Sequence, residues 1–291
     1  MFTEFQIEDL KFKNRLVMAP MCMYTADNDG LLKDWHFVHY LTRAIGGVGT
    51  IILEATAVQR NGRITPKDLG LWDDNQIPKL KALVDAVHQE GTIIGIQLNH
   101  AGRKSQVLED IVAPSSLSFP GLKIPKALEI TEIKEIIQDF QKAALRAYEA
   151  GFDFIQIHGA HGYLINQFLS PLTNLREDEY GGSEENRLRF LQEIIDAIKK
   201  VFLKPISLRI SAEEYHPDGL HPEDHMRMLN KIENINIVNV STGGVIASQI
   251  HAYPGYQLEA ARLIKEKTKK VVVAGGLLSI ELAEAALKRK E

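Results

Sequence analysis

Two histidines and a tyrosine follow a short apolar run near the middle of this chain. The run covers residues 154–157, and His158, His161 and Tyr163 come directly after it. Residues three positions apart share a face on a helical turn, so the two imidazoles can point at one spot. Neutral histidines can donate hydrogen bonds to a carbonyl oxygen, and a tyrosine hydroxyl can deliver a proton. These residues therefore suit the reduction of an activated double bond.

The same His-x-x-His spacing could also be half of a metal site, or two histidines of the core. A zinc or iron site needs a third ligand in register, and no nearby Glu or Cys offers one. The sequence therefore favours a site without a metal.

The composition is that of one enzyme-sized domain. The 291 residues are 45% hydrophobic and 25% charged, and the net charge of −4 argues against a nucleic acid or an anionic membrane as partner. One cysteine excludes an internal disulfide framework. The first residues lack the uninterrupted apolar run typical of a signal peptide, and we expect no segment that spans a bilayer. We expect a soluble, cytoplasmic protein that acts on a small molecule.

Short apolar runs alternate with longer helical patterns. The predicted strands are residues 16–19, 50–53, 93–98, 154–157, 206–210, 235–240 and 271–274. The predicted helices are residues 36–45, 78–90, 131–149, 184–201, 222–231, 257–269 and 279–290. Thr131 and Ser183 are predicted N-caps, and Gly91 and Gly151 are predicted to lie just past helix ends.

This order repeats a strand and a helix seven times. Apolar strands between helices indicate a parallel sheet, so we predict a (β/α)8 TIM barrel, with a doubly wound sheet as the alternative. Polar residues recur at the predicted carboxyl ends of strands, as a barrel requires. A doubly wound sheet is expected to carry a glycine-rich fingerprint after its first strand, and none is present. The sequence therefore favours the barrel.

Three segments have a specific sequence pattern. Residues 14–24 read N-R-L-V-M-A-P-M-C-M-Y, residues 100–103 read H-A-G-R, and residues 158–187 contain H-G-A-H-G-Y-L-I and N-L-R-E-D-E-Y-G-G-S-E-E-N-R. These segments closely resemble the old yellow enzyme family of FMN-dependent ene-reductases. Cys22 and Tyr24 resemble the cysteine-bearing bacterial branch, typified by xenobiotic reductases and thermophilic-type enzymes. The resemblance extends over residues 1–291, and the long block at 158–187 is its most specific part.

The resemblance implies a catalytic cycle. FMN lies across the mouth of the barrel, takes a hydride from NADPH or NADH and passes it from N5 to the β-carbon of an α,β-unsaturated carbonyl compound. His158 and His161 would then hold the carbonyl oxygen, Tyr163 would donate the proton, and Tyr24 would add a hydroxyl at the substrate.

The resemblance also implies the residues that contact FMN. Gln97 could pair with the pyrimidine edge of the ring, and Arg209 could stabilise negative charge near N1 and C2=O. A salt bridge is the alternative role for Arg209, less favoured because the residue lies in an apolar strand. The remaining implied contacts are Cys22 at the N5 edge, with Pro20, Met21 and Ala55 as the floor of the ring site.

Other polar residues are interpreted as structural. Nothing in the sequence pairs Glu54 or Asp178 as an acid and a base. His100 and Arg103 could touch a ligand or brace a loop. The residues interpreted as a brace for the histidine loop are Tyr180, Gly181, Gly182, Asn186 and Arg187.

The chain ends at Glu291, where the family continues with an eighth strand, a Gly-Arg pair for the FMN phosphate and a closing helix. We therefore expect an open seven-stranded barrel in which Gly275 and Gly276 supply backbone N–H groups to the phosphate. The resemblance further implies a homo-oligomer, a dimer or a tetramer, although the family's C-terminal arginine, which enters the neighbouring site, is missing here.

Two loops lie outside the repeat. Residues 104–130 are too long for an ordinary strand-to-helix loop, so we predict an excursion over the mouth of the barrel, with a surface loop of no consequence as the alternative. Residues 2–13 are predicted to form a hairpin that plugs the bottom of the barrel.

Two alternatives to an ene-reductase stay open. One is another flavin barrel, such as a dihydrouridine synthase-like enzyme, which would need a basic surface for RNA. The other is a degenerate barrel that binds a small molecule without catalysis. A quinone is an alternative substrate to an enone, and NADPH is not distinguished from NADH.

Overall fold

A curved parallel sheet surrounded by helices makes up most of this computed structural model, which describes residues 1–268, 270–276 and 278–289. Within these residues the strands of the barrel are β1 (Val17–Met18), β2 (Thr50–Ala57), β3 (Ile93–Asn99), β4 (Phe154–Gly159), β5 (Ile206–Ser211), β6 (Ile237–Ser241) and β7 (Val271–Val273). The helices are α1 (Asp34–Ile45), α2 (Ile77–Gln89), α3 (Ile130–Glu149), α4 (Leu164–Leu169), α5 (Glu184–Lys199), α6 (Pro222–Lys231), α7 (Leu258–Thr268) and α8 (Ile280–Arg289).

The order of the strands identifies the fold. Neighbours in the sheet follow chain order from β1 to β7, and every pair is parallel. A doubly wound sheet would reverse its order at a switch point, so the barrel prediction is confirmed. Within the described residues β1 and β7 are the two ends of this order.

The core lies between the strands and the helices. Alternate residues of a strand face opposite sides, and Ile94, Ile96 and Leu98 of β3 are fully buried in the same cluster as apolar residues of α2 and α3. Burying such side chains stabilises the fold by about 25 cal/mol per Å² of apolar surface. This layer fixes the strands, and with them the polar residues at their carboxyl ends.

Strand β2 contains a bulge. Its pairing with β3 shifts register between Leu53 and Thr56, which leaves Glu54 and Ala55 outside the regular ladder. The predicted strand ended at Leu53, but β2 continues to Ala57 and pairs there with Leu69–Gly70. A bulge turns consecutive side chains toward different surroundings.

The seven predicted helices are found with ends within two residues of the prediction, and one of the two predicted N-caps is correct. The Ser183 side chain accepts a hydrogen bond from the Asn186 N–H, as predicted. The prediction for Thr131 was wrong: α3 begins at Ile130, and its N-cap is Glu129, which exchanges hydrogen bonds with Glu132. Helix α4 was not predicted, and residues 269 and 290 of the predicted helices lie outside the described residues.

Two small sheets complete the described fold. Phe5–Ile7 and Leu10–Phe12 form the predicted hairpin, which packs against Ile93 and Ile237 at the amino ends of β3 and β6. In the long segment before α3, Val112–Ala113 pairs with Lys126–Ala127. None of the helices in the described ranges has the length and apolarity needed to cross a membrane.

Candidate active site

The two histidines and the tyrosine after β4 meet at the mouth of the barrel. The His158 ring centroid lies 5.1 Å from that of His161 and 4.8 Å from that of Tyr163, both edge to face. The turn that brings them together has positive φ at His161 (60°) and Gly162 (69°). A Cβ on Gly162 would lie 2.1 Å from the Gly244 carbonyl oxygen, so only glycine fits there.

Both histidines are neutral hydrogen-bond donors. Burial, with Arg209 and Lys104 nearby, lowers the pKa of His161 to about 3 and holds the pKa of His158 far below its usual range. The Nδ1 atom of His158 accepts a hydrogen bond from the Ala160 N–H at 3.3 Å. The proton of the neutral ring is therefore on Nε2, where it can be donated to a ligand.

His161 is held by the neighbouring strands. Its Nε2 lies 2.7 Å from Ser241 Oγ, and its backbone N–H donates to Ser211 Oγ at 2.9 Å. Because Nε2 is engaged by Ser241, Nδ1 is the nitrogen left for a ligand. It carries the ring proton when the Ser241 hydroxyl donates to Nε2, and each ring then offers one N–H to a ligand.

Tyr163 keeps its proton in this setting. The side chain packs with Cys22 against Ala55, and burial raises the pKa of its hydroxyl well above the usual value. The Lys104 Nζ lies 5.4 Å from the centre of the Tyr163 ring and donates hydrogen bonds to the carbonyl oxygens of His161 and Gly244. Burial lowers the pKa of Lys104 to about 8. A protonated phenol thus stands beside two neutral imidazoles.

Cys22 packs against the cluster of Ala55, Ile64 and Ala101 at the β2 bulge. The Cys22 thiol lies close to the Ala55 backbone and to the Tyr24 hydroxyl. Burial, followed by the negative charges of Asp68 and Glu54, raises the pKa of the thiol to about 12. Cys22 is therefore a polarisable, protonated thiol and not a thiolate nucleophile. Tyr24 has a positive φ of 52° and is 43% exposed.

Arg209 of β5 stands next to His158 of β4 without a carboxylate partner among the described residues. Its Nη1 donates weakly to the Pro20 carbonyl oxygen at 3.4 Å, and its buried Nε has no hydrogen-bond partner. Burial lowers its pKa to about 10. This geometry does not support the salt-bridge role, because the positive charge is left uncompensated.

A cavity of 360 Å³ opens beside Arg209 at the carboxyl ends of the strands. It is lined by Val17, Ala19, Arg209, Asn239, Val240, Ser241, Ala252, Tyr256, Gln257, Val273, Ala274, Gly275 and Gly276. Gly276 has a φ of 90°, and a Cβ there would lie 3.0 Å from the Tyr256 ring. The Arg209 Nε, which has no hydrogen-bond partner, and the backbone of Gly275 and Gly276 fit a bound group that carries acceptor oxygens, as FMN does.

The other predicted contacts surround this region. Gln97 is buried and donates to the Gln156 amide oxygen at 2.8 Å, and Gln156 donates to Ser207. Pro20 is buried above Arg209, whereas Met21 is 51% exposed. Gln97 can still offer its second amide hydrogen and its oxygen to a ligand.

The residues interpreted as braces do hold loops together. His100 accepts from the Gly102 N–H and lies 3.1 Å from the Gln59 amide oxygen. Arg103 donates to the carbonyl oxygens of Leu117 and Val245, which joins the 104–130 segment to the loop after β6. Further braces link Asn186 to Asp178 and Arg187 to Leu169 and Gly182.

Lys104, Ser241 and His36 were not assigned a role from the sequence, and Glu54 was interpreted as structural. Lys104 directly follows the H-A-G-R motif, and this adjacency was the available signal. Ser241 and Glu54 lie at strand ends, where a barrel collects polar groups. Among the described residues no group of three or more His, Cys, Asp or Glu side chains is arranged to hold a metal ion.

Comparisons with known proteins agree with this architecture. The profile of the NADH:flavin oxidoreductase / NADH oxidase family matches residues 1–291. An NADPH dehydrogenase of Geobacillus sp. (strain WCH70) is 49% identical over 283 residues, 96% of this chain and 83% of that protein. Another, of Clostridium acetobutylicum, is 50% identical over 293 residues, 98% and 86% of the two chains. The structure of morphinone reductase in complex with tetrahydroNAD superposes with a TM-score of 0.86 at 30% identity, covering 99% of this chain and 83% of that one.

Proposed function

Because this chain belongs to the NADH:flavin oxidoreductase / NADH oxidase family, an FMN-dependent family of oxidoreductases, we propose that it uses NAD(P)H to reduce the activated C=C bond of α,β-unsaturated carbonyl compounds. One observation supports this proposal above all. Two neutral imidazoles and a protonated phenol surround one position at the mouth of the barrel. An enone needs such a set, since its oxygen must be polarised and its α-carbon protonated.

The proposed roles follow from the protonation states. His158 Nε2–H and His161 Nδ1–H would bind the carbonyl oxygen, which gains negative charge as the double bond is reduced. Tyr163 would give its hydroxyl proton to the α-carbon. Neutral histidines suit this task, because they donate hydrogen bonds without protonating the oxygen.

The residues around the cavity would hold FMN. When bound, FMN supplies the two-electron redox centre that links NAD(P)H to the substrate. Arg209 would place positive charge against the ring, Gln97 would pair with its polar edge, and Gly275 and Gly276 would contribute to the phosphate site. Cys22 would lie at the ring edge, with Pro20, Met21 and Ala55 beneath it and Tyr24 at the substrate.

Three further statements stay predictions. Residues 1–291 would form one FMN-binding domain, in which the excursion at 104–130 covers part of the mouth. Its ties to the loop after β6 through Arg103 support that position. Quinones would be reduced as well, and the protein would be a homo-oligomer.

The experiment that tests the proposal separates the two half-reactions in Tyr163→Phe. The substitution keeps the ring and its packing but removes the proton. Flavin reduction by NADPH should proceed at the parental rate, whereas reoxidation by cyclohexenone should slow by about 10²-fold or more. Stopped-flow absorbance of the flavin measures both steps.

Reoxidation by a quinone or by oxygen serves as the internal control, since neither reaction needs a residue that delivers a proton to a carbon atom. It should be unchanged in the variant. A parental rate with cyclohexenone would show that water or another side chain supplies the proton, and the role proposed for Tyr163 would then be wrong.

A further inference from the structure

A carboxylate and a histidine are buried together behind the loop that carries Cys22. Glu54 and His36 are 2% and 0% exposed, and His36 Nε2 lies 3.1 Å from Glu54 Oε1. His36 Nδ1 accepts a hydrogen bond from the Lys33 N–H at 2.9 Å, so the proton of the ring is on Nε2. Nε2 is hydrogen-bonded to Thr25 Oγ1, whereas the nearby Glu54 Oε1 has no hydrogen-bond partner. Burying a charge of this kind is costly unless partners compensate it.

The second oxygen of Glu54 reaches the Cys22 loop directly. Glu54 Oε2 accepts a hydrogen bond from the backbone N–H of Met23, the residue that follows Cys22. The next residue of the bulge, Ala55, belongs to the apolar cluster against which Cys22 packs. The two bulge residues thus lie against Cys22 and the residue that follows it.

Helix α1 holds the backbone of Glu54 from the other side. Tyr40 Oη accepts the Glu54 N–H at 3.0 Å, and Thr25 Oγ1 lies 3.2 Å from His36 Nε2. The bulge, the helix and the loop are therefore joined at Glu54. A shift of that carboxylate would move Met23, and with it the neighbouring sulfur.

We propose that Glu54, which lies against His36, is a positioning residue that sets the place of the Cys22 sulfur at the flavin site. It acts through the Met23 N–H and not by touching the substrate. The inference rests on the proposed location of FMN beside Cys22, but it does not depend on which compound is reduced.

Glu54→Gln tests the proposal with little change in size. The carboxylate accepts the Met23 N–H through Oε2 and leaves Oε1 beside the His36 Nε2–H, whereas an amide has a single oxygen and places its NH2 group either at the Met23 N–H or against His36. Cys22 is the sole cysteine, so the rate of alkylation by iodoacetamide reports on this thiol alone. In the FMN-loaded protein at pH 8 the rate should rise by about five- to tenfold, the change expected from losing one buried hydrogen bond.

Asp153→Asn is the matched control. Asp153 also accepts a backbone N–H, from Ile94 at 2.8 Å, and a histidine Nε2, from His88 at 2.8 Å, but at the opposite end of the barrel. This variant should lose stability without changing the alkylation rate. If Glu54→Gln does not fold, His36→Asn repeats the test, because its amide oxygen can still accept the Lys33 N–H while the donor to Glu54 is lost.

The flavin midpoint potential provides a second readout. Glu54→Gln should shift the potential in the parent but not in a Cys22→Ala background, since the effect passes through the sulfur. An equal shift in both backgrounds would mean that the charge of Glu54 acts on the flavin by itself, which overturns the proposal. Parental alkylation and potential in Glu54→Gln would overturn it too, and would leave the enone-reductase proposal untouched.

Discussion

We expect Arg209 to lower the stability of the FMN-free protein and to raise its affinity for FMN. Its guanidinium has a buried Nε without a partner and no carboxylate within reach among the described residues. Burial lowers its pKa to about 10, well below the usual value above 12. Since one pKa unit corresponds to about 1.4 kcal/mol, holding this charge costs the FMN-free fold about 3 kcal/mol at most.

Arg209→Met removes the charge and keeps much of the volume. Water reaches part of the half-buried side chain, so we expect the FMN-free variant to be more stable than the parent by ~1–3 kcal/mol. FMN should bind about 10- to 150-fold more weakly, because a charged hydrogen bond is worth ~1.5–3 kcal/mol. Urea unfolding followed by circular dichroism and a flavin fluorescence titration measure the two quantities.

Arg176→Met is the matched control for these two effects on stability and on FMN binding. Arg176 binds Asp178 with two nitrogens and donates to the carbonyl oxygens of Pro114 and Leu128, so its charge is fully compensated. The control should lose ~3 kcal/mol or more of stability and keep its FMN affinity. The reasoning is refuted if Arg209→Met is also less stable than the parent, since Arg209 would then be a structural residue.

Two further predictions concern the histidine loop and a buried acid behind it. Replacing His158 and His161 by Ala should abolish the long-wavelength charge-transfer band of a para-substituted phenol over the flavin, with a loss of ~1–3 kcal/mol per histidine; unchanged phenol affinity would contradict the assignment. Burial raises the pKa of Glu214 to about 7, although Asn166, Ser170 and the Leu220 N–H donate to it. Because the pKa is raised by folding, the folded protein keeps a proton that the unfolded chain has already released at the same pH. The free energy of unfolding should therefore fall by roughly 3 kcal/mol as the pH rises from about 5 to 7. Glu214→Gln should remove this part of the slope in urea unfolding, and an identical slope in parent and variant would contradict the assigned pKa.

The strands, most helix bounds and the residues at the mouth could be predicted because their signals are local. His158, His161 and Tyr163 lie within six positions of one another, and the apolar run before them fixes where β4 ends. The same holds for Ser183, whose capping contact spans three residues.

The contacts that hold the site together could not be predicted in this way. Lys104 binds the His161 and Gly244 carbonyl oxygens, which are 57 and 140 positions away. The end of β2 could not be predicted, because the bulge interrupts the regular pattern of side chains on which strand prediction depends. Thr131 was a plausible N-cap by residue type, but Glu129 and Glu132 together satisfy more of the backbone donors.

The backbone contact between Gly162 and Gly244 bears on attempts to change which substrates are accepted. A Cβ on Gly162 would meet the Gly244 carbonyl oxygen at 2.1 Å, and one on Gly244 would meet the His161 backbone at 2.7 Å. Variants at either glycine would therefore mostly lose the geometry of the site, and few would gain a new substrate preference. Diversity is better introduced at Phe119 of the 104–130 excursion, whose ring lies 4.5 Å from Lys104 Nζ. Lys104 itself is best kept, because it holds the histidine turn through the His161 and Gly244 carbonyl oxygens.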